Sequence, residues 1–395
     1  MEYKKVFVVA DAMVTSLGPG SQKNMEALYK GESGVRLIND PKLFPEPFMG
    51  AQMDSKQINR CFSNNAEFNQ LDESFEFTRF EKMVISAMSG AYRQVKFPTD
   101  RKTLFILSTT KGNIDLIQKD QLKKWGKDRV MLWKAAEMIA RFWGFENKPR
   151  VLSNACISGV EAISIGSQFI RQGQYENVIV VGADMLTEFV VSGFMSFQSL
   201  SSKVCKPFDE ERDGLNLGEA SACIFLSSNQ DFLQKDKPEI EVLGGGSSND
   251  ANHISGPSRT GDGQFFAIRA ALKEAKLKPN EIDYISAHGT ATPYNDEMEC
   301  KALHLAGLQE KPVNSLKAYF GHTLGAAGVL ESIVAIRNLR DQKILKSLGY
   351  KKHGVPLPLN VIEETKEWPV KNVLKTASGF GGCNAAVIFS NRSRR

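Results

Sequence analysis

The chain has 395 residues, of which 42% are hydrophobic and 24% charged, which is typical of a globular protein with a large core. Its net charge of +5 is too small to indicate nucleic-acid binding, for which a concentrated basic stripe is expected. No apolar run approaches the roughly 18 residues of a membrane span. The six scattered cysteines form no CxxC pair, so their spacing indicates no zinc or redox site. We therefore expect a cytoplasmic protein with reduced cysteines, no metal and no cofactor.

The predicted elements occur in the same order in two halves of the chain. The first half has strands at 6–10, 103–108, 150–156 and 176–183 and a helix at 79–95. The second half has strands at 240–244, 284–288, 312–317 and 371–378 and a helix at 264–276. Strands that alternate with helices predict an α/β fold with largely parallel sheets. The repeat predicts two similar layers that face each other, formed by residues 1–228 and 237–395.

One pair of repeated segments combines a short strand with a helix rich in small residues. The first, around SNACISG, places Cys156 where the strand turns into the helix. A strand-to-helix elbow exposes a nucleophile, and the positive end of the helix dipole stabilises a thiolate. A lone cysteine is more often a small buried apolar residue, and that interpretation suits Cys205, Cys223 and Cys300.

Two of the five histidines occupy equivalent places in the repeat. His288 follows an apolar strand in SAHGTATP, and His322 lies in FGHTLGAAG, on the second predicted small-residue helix. The other three, His253, His304 and His353, lie in polar or helical-surface contexts. A glycine-rich loop, SGFGG at 378–382, follows the last strand of the second half but lacks the spacing of a nucleotide site. Its backbone N–H groups are candidates for binding an oxyanion.

With these motifs in place, the chain resembles the β-ketoacyl–acyl-carrier-protein synthases of the elongating, Cys–His–His type. The resemblance covers nearly the whole chain. It depends on NACISG, KPFDEERDGLNLGEASA, AHGTATPYNDEMEC, NSLKAYFGHTLGAAG and SGFGG, which occur in the family's order. It implies a thiolase-like fold of five αβαβα layers, built by duplication, and a homodimer whose interface strand is 177–183.

The resemblance also implies roles for single residues. Cys156 carries the acyl chain as a thioester, while His288 and His322 bind the malonyl thioester and promote loss of carbon dioxide. The supporting residues are Lys317 paired with Glu299, Thr290 and Thr292 at the pantetheine amides, and Phe380 in the glycine-rich loop. Gly381 of the same loop is expected to contact substrate. Phe380 is expected to gate the site, and its N–H to form an oxyanion hole with that of Cys156.

An acidic acyl-carrier protein is the expected partner, docked on a basic rim. The candidate residues are the segment KDQLKKWGKDR, with Lys119, Lys123, Lys124, Lys127 and Arg129, and also Lys206. A solvated helix face is the simpler interpretation of such a charge run. Trp125 within the segment favours a contact surface, because aromatic residues are enriched at interfaces.

Three alternatives stay open at this point. A thiolase or an initiating synthase that acts on coenzyme A is the first, although the initiating type pairs cysteine with His and Asn. A chain-length-factor-like subunit, possibly in a heterodimer, is the second, although such subunits lack the active cysteine. The third keeps the reaction but changes the pathway from fatty-acid to polyene or polyketide synthesis. Two departures from the family, Lys111 in STTKGNID and the loop TASGFGG, leave chain length and pathway undecided.

Overall fold

The structure, a computed structural model, describes residues 3–72 and 75–393. The strands in chain order are β1 (Phe7–Thr15), β2 (Gly18–Pro19), β3 (Arg36–Ile38), β4 (Phe48–Ala51), β5 (Thr103–Ser108), β6 (Arg150–Leu152), β7 (Asn177–Asp184), β8 (Leu217–Gly218), β9 (Ala220–Ser227), β10 (Ile240–Asn249), β11 (Tyr284–Ser286), β12 (Val313–Asn314), β13 (Lys343–Ile344), β14 (Lys366–Glu367), β15 (Asn372–Gly379) and β16 (Cys383–Asn391).

The helices are α1 (Ser21–Lys30), α2 (Ser55–Ser63), α3 (Arg79–Tyr92), α4 (Lys119–Trp125), α5 (Leu132–Trp143), α6 (Ser158–Arg171), α7 (Glu188–Ser196), α8 (Asp262–Ala275), α9 (Pro293–Leu305), α10 (Lys317–Phe320) and α11 (Ala327–Asp341). In the part of the chain that the structure describes, no helix is both long enough and apolar enough to cross a bilayer.

The main sheet shows the duplication directly. Its order is β6-β5-β7-β9-β1-β10-β16-β15-β11-β12. Read from the two edges toward the middle, β6, β5, β7, β9 and β1 match β12, β11, β15, β16 and β10. The directions match too: the first three strands of each set are parallel to one another, and the fourth is antiparallel to the third and fifth. The predicted duplication is confirmed, whereas the limits of the halves at 228 and 237 stay a prediction.

Helices and sheets stack in five layers. Helices α6 and α11 lie in the middle and contact strands of both halves, while α3 and α5 cover one outer face and α8 and α9 the other. Three clusters of buried apolar side chains fill the spaces between the layers. Along β5, Ile106 belongs to the central cluster and Phe105 and Leu107 to an outer one, because side chains of a strand alternate between its faces. The predicted α/β, thiolase-like αβαβα architecture is confirmed.

The two central helices touch at glycines. A Cβ added to Gly159 of α6 would lie 2.6 Å from the backbone nitrogen of Val329, and one added to Gly328 of α11 would meet the nitrogen of Val160 still more closely. Side chains at these positions would therefore push the helices apart. This contact sets the distance between the two halves of the candidate site, since Cys156 and His322 precede these helices.

Two sequence-based expectations about local structure are wrong. His322 does not lie on a helix, because the backbone reverses at Gly321 and Leu324, which have φ angles of 67° and 51°. The predicted helix is therefore split into α10 and α11, with His322 in the connection. The segment 177–183 is not a free interface strand either: β7 pairs with β5 on one side and β9 on the other.

Candidate active site

Cys156 lies in a tight elbow between β6 and α6. Its neighbour Ala155 has a φ of 43°, a left-handed conformation that is uncommon for a residue with a side chain. The Ser158 hydroxyl stabilises the elbow, because it donates to the Ala155 carbonyl at 2.6 Å and accepts from the Asn154 amide at 2.7 Å. The Cys156 side chain is buried and lines a cavity between the two halves.

His322 approaches Cys156 from the second half of the chain. Its backbone N–H donates to the carbonyl of Asn216 at 2.7 Å. A Cβ on the preceding residue, Gly321, would lie 2.5 Å from the Leu217 carbonyl, so only glycine allows this approach of the two backbones. As a result, Nε2 of His322 lies 3.0 Å from Sγ of Cys156. The GLNLGEASA motif thus positions a histidine about a hundred residues further along the chain, and sequence reasoning assigned Asn216 no role.

The backbone of His288 is held by hydrogen bonds at both its N–H and its carbonyl. The amides of His288 and Gly289 donate to the two oxygens of Glu299 at 2.9 and 2.7 Å. The Lys317 ammonium donates to the His288 carbonyl at 2.8 Å. The ring of His288 then meets that of His322 edge to face, with centroids 5.2 Å apart.

The predicted ion pair between Lys317 and Glu299 is wrong. Lys317 pairs with Glu331 of α11 at 2.5 Å, and Lys375 of β15 pairs with the other Glu331 oxygen at 2.7 Å. Glu299 instead binds backbone amides. Sequence reasoning missed Glu331 and Lys375, although each is an isolated charge within an apolar run, GVLESIV and NVLKTAS. Such charges are buried only when they are paired.

Burial dominates the electrostatics of the site. It lowers the pKa of His288 and of His322 well below the usual range, and the Lys317 ammonium lowers both further. Both rings are therefore neutral at physiological pH. Burial raises the pKa of Cys156 to about 12, with the nearby Cys383 acting in the same direction, against the opposite effects of Lys317 and the Phe380 backbone. Burial therefore favours the thiol form of the resting sulfur, whereas the helix dipole is expected to favour the thiolate.

The cavity beside Cys156 has a volume of about 230 Å³. Thr290 and Thr292 lie on its wall with their hydroxyl oxygens 2.9 Å apart. Phe380 also lines it, and its ring stacks against Phe194 and contacts Phe197, with centroids 5.8 and 5.4 Å apart. The structure therefore brings the predicted threonines and the predicted gate to the cavity.

The loop before Phe380 also approaches the elbow closely. A Cβ on Gly379 would lie 2.9 Å from the Cys156 nitrogen, so the two backbone segments meet directly. Gly381 is turned away, because its amide donates to the Ile254 carbonyl at 2.7 Å and it is not among the residues that line the cavity. The predicted contact between Gly381 and substrate stays a prediction.

Internal hydrogen bonds hold the two loops that depart from the family, STTKGNID around Lys111 and TASGFGG around Phe380. Asp184, which is buried, accepts from the amides of Thr110 and Lys111 and from that of Gly325 at the approach to α11. In TASGFGG, the Ser378 hydroxyl donates to the Asn384 side chain at 2.7 Å. Both loops are thus tied to the elements that carry the site.

The basic residues expected to dock a partner differ among themselves. Lys119, Lys123 and Lys127 are exposed, and Lys124 is exposed but pairs with Glu76 at 2.7 Å. Arg129 is buried in an ion pair with Glu81 at 2.6 Å, which removes it from any docking surface. Trp125 packs between Lys124 and Arg129. Lys206 pairs with Glu211.

The sulfur of Cys156 and one nitrogen each of His288 and His322 all lie within 4.8 Å of one another. A thiol and two imidazoles could also contribute three ligands to a zinc site. The same three groups form a nucleophile with two neutral N–H donors. The geometry by itself is compatible with both uses.

Comparison with known proteins distinguishes these uses. A model of the β-ketoacyl synthase N-terminal domain matches residues 3–231, and one of the C-terminal domain matches residues 240–351. The chain belongs to the β-ketoacyl synthase family. The synthase is 28% identical to the mitochondrial 3-oxoacyl-[acyl-carrier-protein] synthase of Arabidopsis thaliana, over 98% of this chain and 94% of the relative.

Solved structures agree with this assignment. A β-ketoacyl synthase from Burkholderia phymatum is 25% identical, with a TM-score of 0.85, over 99% of this chain and 100% of that one. A ketosynthase in complex with its chain length factor, from Xenorhabdus doucetiae, is 26% identical, with a TM-score of 0.81, over 98% of each chain. The synthase is an acyltransferase of elongating condensation, in fatty acid or polyketide synthesis.

Proposed function

We propose that Cys156, His288 and His322 carry out the decarboxylative Claisen condensation of this synthase on acyl groups borne by a carrier protein. The observation that carries the proposal is the approach of His322 Nε2 to Cys156 Sγ at 3.0 Å, beside a second neutral histidine in one cavity. We propose no metal and no cofactor, because these three groups account for both steps of the reaction.

In the first step, the sulfur of Cys156 attacks the carbonyl of an acyl thioester. Because the resting sulfur is a thiol, its proton passes to His322 Nε2, and the leaving pantetheine sulfur then takes that proton. The C–S bond to the carrier breaks as the bond to Cys156 forms. The backbone N–H groups of Cys156 and Phe380 are proposed to bind the oxyanion, which matches the contact of the Phe380 backbone with this sulfur.

In the second step, His288 and His322 bind the carbonyl oxygen of a malonyl thioester. The bond to the carboxylate breaks, carbon dioxide leaves, and the electron pair moves into an enolate whose oxygen the two N–H groups stabilise. The enolate carbon then attacks the acyl group on Cys156, the C–S bond breaks, and the released Cys156 thiolate takes up one proton from solvent to restore the resting thiol. A neutral imidazole carries a single proton, so each ring must hold it on the nitrogen that faces the cavity. His322 accepts at Nε2 in the first step, and its remaining proton must therefore move from Nδ1 to Nε2 before the second step.

The finer assignments concern partners. We propose that an acidic acyl-carrier protein delivers both substrates, in keeping with the name of the Arabidopsis relative. Its docking surface is proposed to include Lys123, Lys124, Lys127 and Lys206, while Thr290 and Thr292 hydrogen-bond the pantetheine arm. A homodimer is proposed, with a heterodimer as the alternative, since the Xenorhabdus ketosynthase is in complex with a chain length factor.

Separating the two steps tests this mechanism. Cys156→Gln should still release carbon dioxide from malonyl-carrier protein, since both histidines remain, but should form no 3-oxoacyl product. His322→Ala should lose both activities, with decarboxylation falling on the order of 10²–10³-fold. Carbon dioxide release and product mass are measured together.

His353→Ala is the matched control, because His353 is exposed and should keep both activities. Unchanged decarboxylation by His322→Ala would contradict the proposed enolate site. Equal turnover of acyl-coenzyme A without any carrier protein would favour the coenzyme A-dependent alternative.

A further inference from the structure

A second buried lysine, in addition to Lys317, supports the candidate site. Lys375 lies on β15 with its side chain fully buried. Its ammonium donates to the carbonyls of Ser286, Ala287 and Thr376 at 3.2, 3.1 and 2.7 Å, and it lies 2.7 Å from Glu331. The first two carbonyls immediately precede His288.

These contacts require the charged form of Lys375. Its four neighbours, three carbonyls and the Glu331 carboxylate, are all acceptors, and an uncharged amine would turn its lone pair toward one of them. Burial lowers the pKa of Lys375, while the Glu331 carboxylate acts in the opposite direction. The four acceptors together explain how a cation remains stable there.

The two lysines divide the backbone around His288 between them. Lys375 takes the carbonyls of Ser286 and Ala287, and Lys317 takes that of His288 itself. Three consecutive carbonyls, from the last residue of β11 to His288, therefore accept hydrogen bonds from two cations. A single lysine would suffice to neutralise Glu331, so the second adds one positive charge to this group.

The charges that face the two histidines come from four elements. Lys317 of α10 and Lys375 of β15 are cations, and both lower the pKa of His288 and of His322. Glu331 of α11 pairs with both lysines. Glu299 of α9 accepts the two amides at His288 and Gly289, the Gln264 amide and the Thr376 hydroxyl. The two rings also face each other and the Cys156 thiol, which is uncharged at rest, and Asp250 lines the same cavity.

We propose that Lys375 is a positioning residue for decarboxylation, which holds His288 in place and keeps both imidazoles neutral N–H donors. This inference rests on the proposed function of the two histidines. Lys375 does not line the cavity, so it acts through the carbonyls it binds and through its charge. Its positive charge also favours the negative charge that develops on the enolate oxygen.

The test replaces Lys375 by Met, which removes the charge and all donors, and separately by Gln, which keeps two donors. Carbon dioxide release from malonyl-carrier protein is followed against pH. Both variants should lower kcat on the order of tenfold with little change in KM, because the groups that contact substrate are retained. The acid limb of the profile should move to higher pH by on the order of half a unit or more, since one cation no longer opposes protonation of the rings.

Val373→Ala is the matched control, because Val373 lies two residues away on the same face of β15 and is equally buried. It should lower stability but leave the acid limb in place. If both Lys375 variants match this control in kcat and acid limb, Lys375 only balances the charge of Glu331 and the proposal is overturned. Failure of both variants to fold would equally overturn it, by making the lysine a requirement of the fold.

A second readout separates this proposal from the proposed function. The ring carbon shifts of His288 and His322 are followed by NMR during an acid titration, which needs no substrate. Their midpoints should move to higher pH in Lys375→Met and stay in place in Val373→Ala. If wild-type protein releases no carbon dioxide, the proposed function fails, whereas the NMR comparison still decides the effect of Lys375 on the two rings.

Discussion

Burial of Cys156 disfavours the thiolate, which is the more reactive form of its sulfur. A buried sulfur cannot easily carry a charge, and the pKa of about 12 leaves almost no thiolate near neutral pH. The contact with His322 Nε2 at 3.0 Å makes attack possible without a resting thiolate, because the thiol proton can pass to that nitrogen as the bond to the acyl carbon forms. A substrate that fits beside both groups is therefore attacked, while a small alkylating reagent depends on the scarce thiolate.

The pH dependence of alkylation tests this account of Cys156. With iodoacetamide, the rate at Cys156 should rise on the order of tenfold per pH unit between about pH 7 and about pH 10, because the thiolate fraction does so below the pKa. Glutathione in the same buffers should level off near its ordinary pKa of about 8.5. Peptide mass mapping distinguishes Cys156 from the half-buried Cys61. A plateau for Cys156 near neutral pH would show that the site holds a thiolate at rest.

Among the elements, α6 and α11 bring the two halves of the site together. Cys156 precedes α6 and His322 precedes α11, so the separation of the helices sets the distance between sulfur and imidazole. The glycine contact between Gly159 and Gly328 allows that separation. Glycine is unfavourable within a helix by roughly 1 kcal/mol relative to alanine, and here close packing offsets the cost.

Gly328→Ala tests the helix contact. The added methyl group has no space beside the Val160 backbone, so the free energy of unfolding should fall by about 1–3 kcal/mol. Condensation should fall more than stability alone explains, because the sulfur and the imidazole are moved apart. Urea unfolding and kcat are measured on the same samples.

Gly193→Ala is the control for this substitution. Gly193 lies in α7, and an added Cβ there would meet nothing within 4 Å. It should be as stable as wild type or more stable by up to about 1 kcal/mol, since alanine is favoured over glycine within a helix. A Gly328→Ala protein that is as stable and as active as Gly193→Ala would mean that the helices do not set the geometry of the site.

For the whole molecule, the open edges of the main sheet limit how two chains can pair. The interior strand β7 has no free hydrogen-bonding side, whereas β6 forms one edge and, among residues 3–72 and 75–393, pairs only with β5. The Leu152 carbonyl of β6 accepts from the Thr109 amide, so Leu152 faces inward and its neighbour Val151 directs its N–H and carbonyl to the open side. Unpaired edges of this kind invite pairing with a second chain.

We expect a homodimer that uses this edge. Sedimentation velocity at micromolar concentration should show a dimer for wild type and weaker association for Val151→Pro, since proline removes the outward N–H without breaking a bond to β5. Val151→Thr, which keeps that N–H and a β-branched side chain, should remain a dimer. A wild-type monomer, or a Val151→Pro dimer of unchanged affinity, would contradict the proposed edge. Recovery of the synthase only with a different partner chain would favour the heterodimer.

From the sequence, strand and helix periodicity predicted the duplicated α/β fold. Short motifs singled out Cys156, His288 and His322, and the order of those motifs along the chain gave the resemblance that implied the reaction class. Such patterns can be recognised without knowing which distant residues come into contact.

Which side chains meet across the layers became known from the three-dimensional structure. In the structure, Lys317 pairs with Glu331 instead of Glu299, and Lys375 pairs with the same carboxylate. Arg129 is buried, and His322 lies in the segment that connects α10 and α11. Each of these depends on elements far apart in sequence, and one buried carboxylate can satisfy several partners equally well until packing selects among them. Charge pairing inside the core is therefore a property of the folded layers, whereas the catalytic residue types can be read from the chain itself.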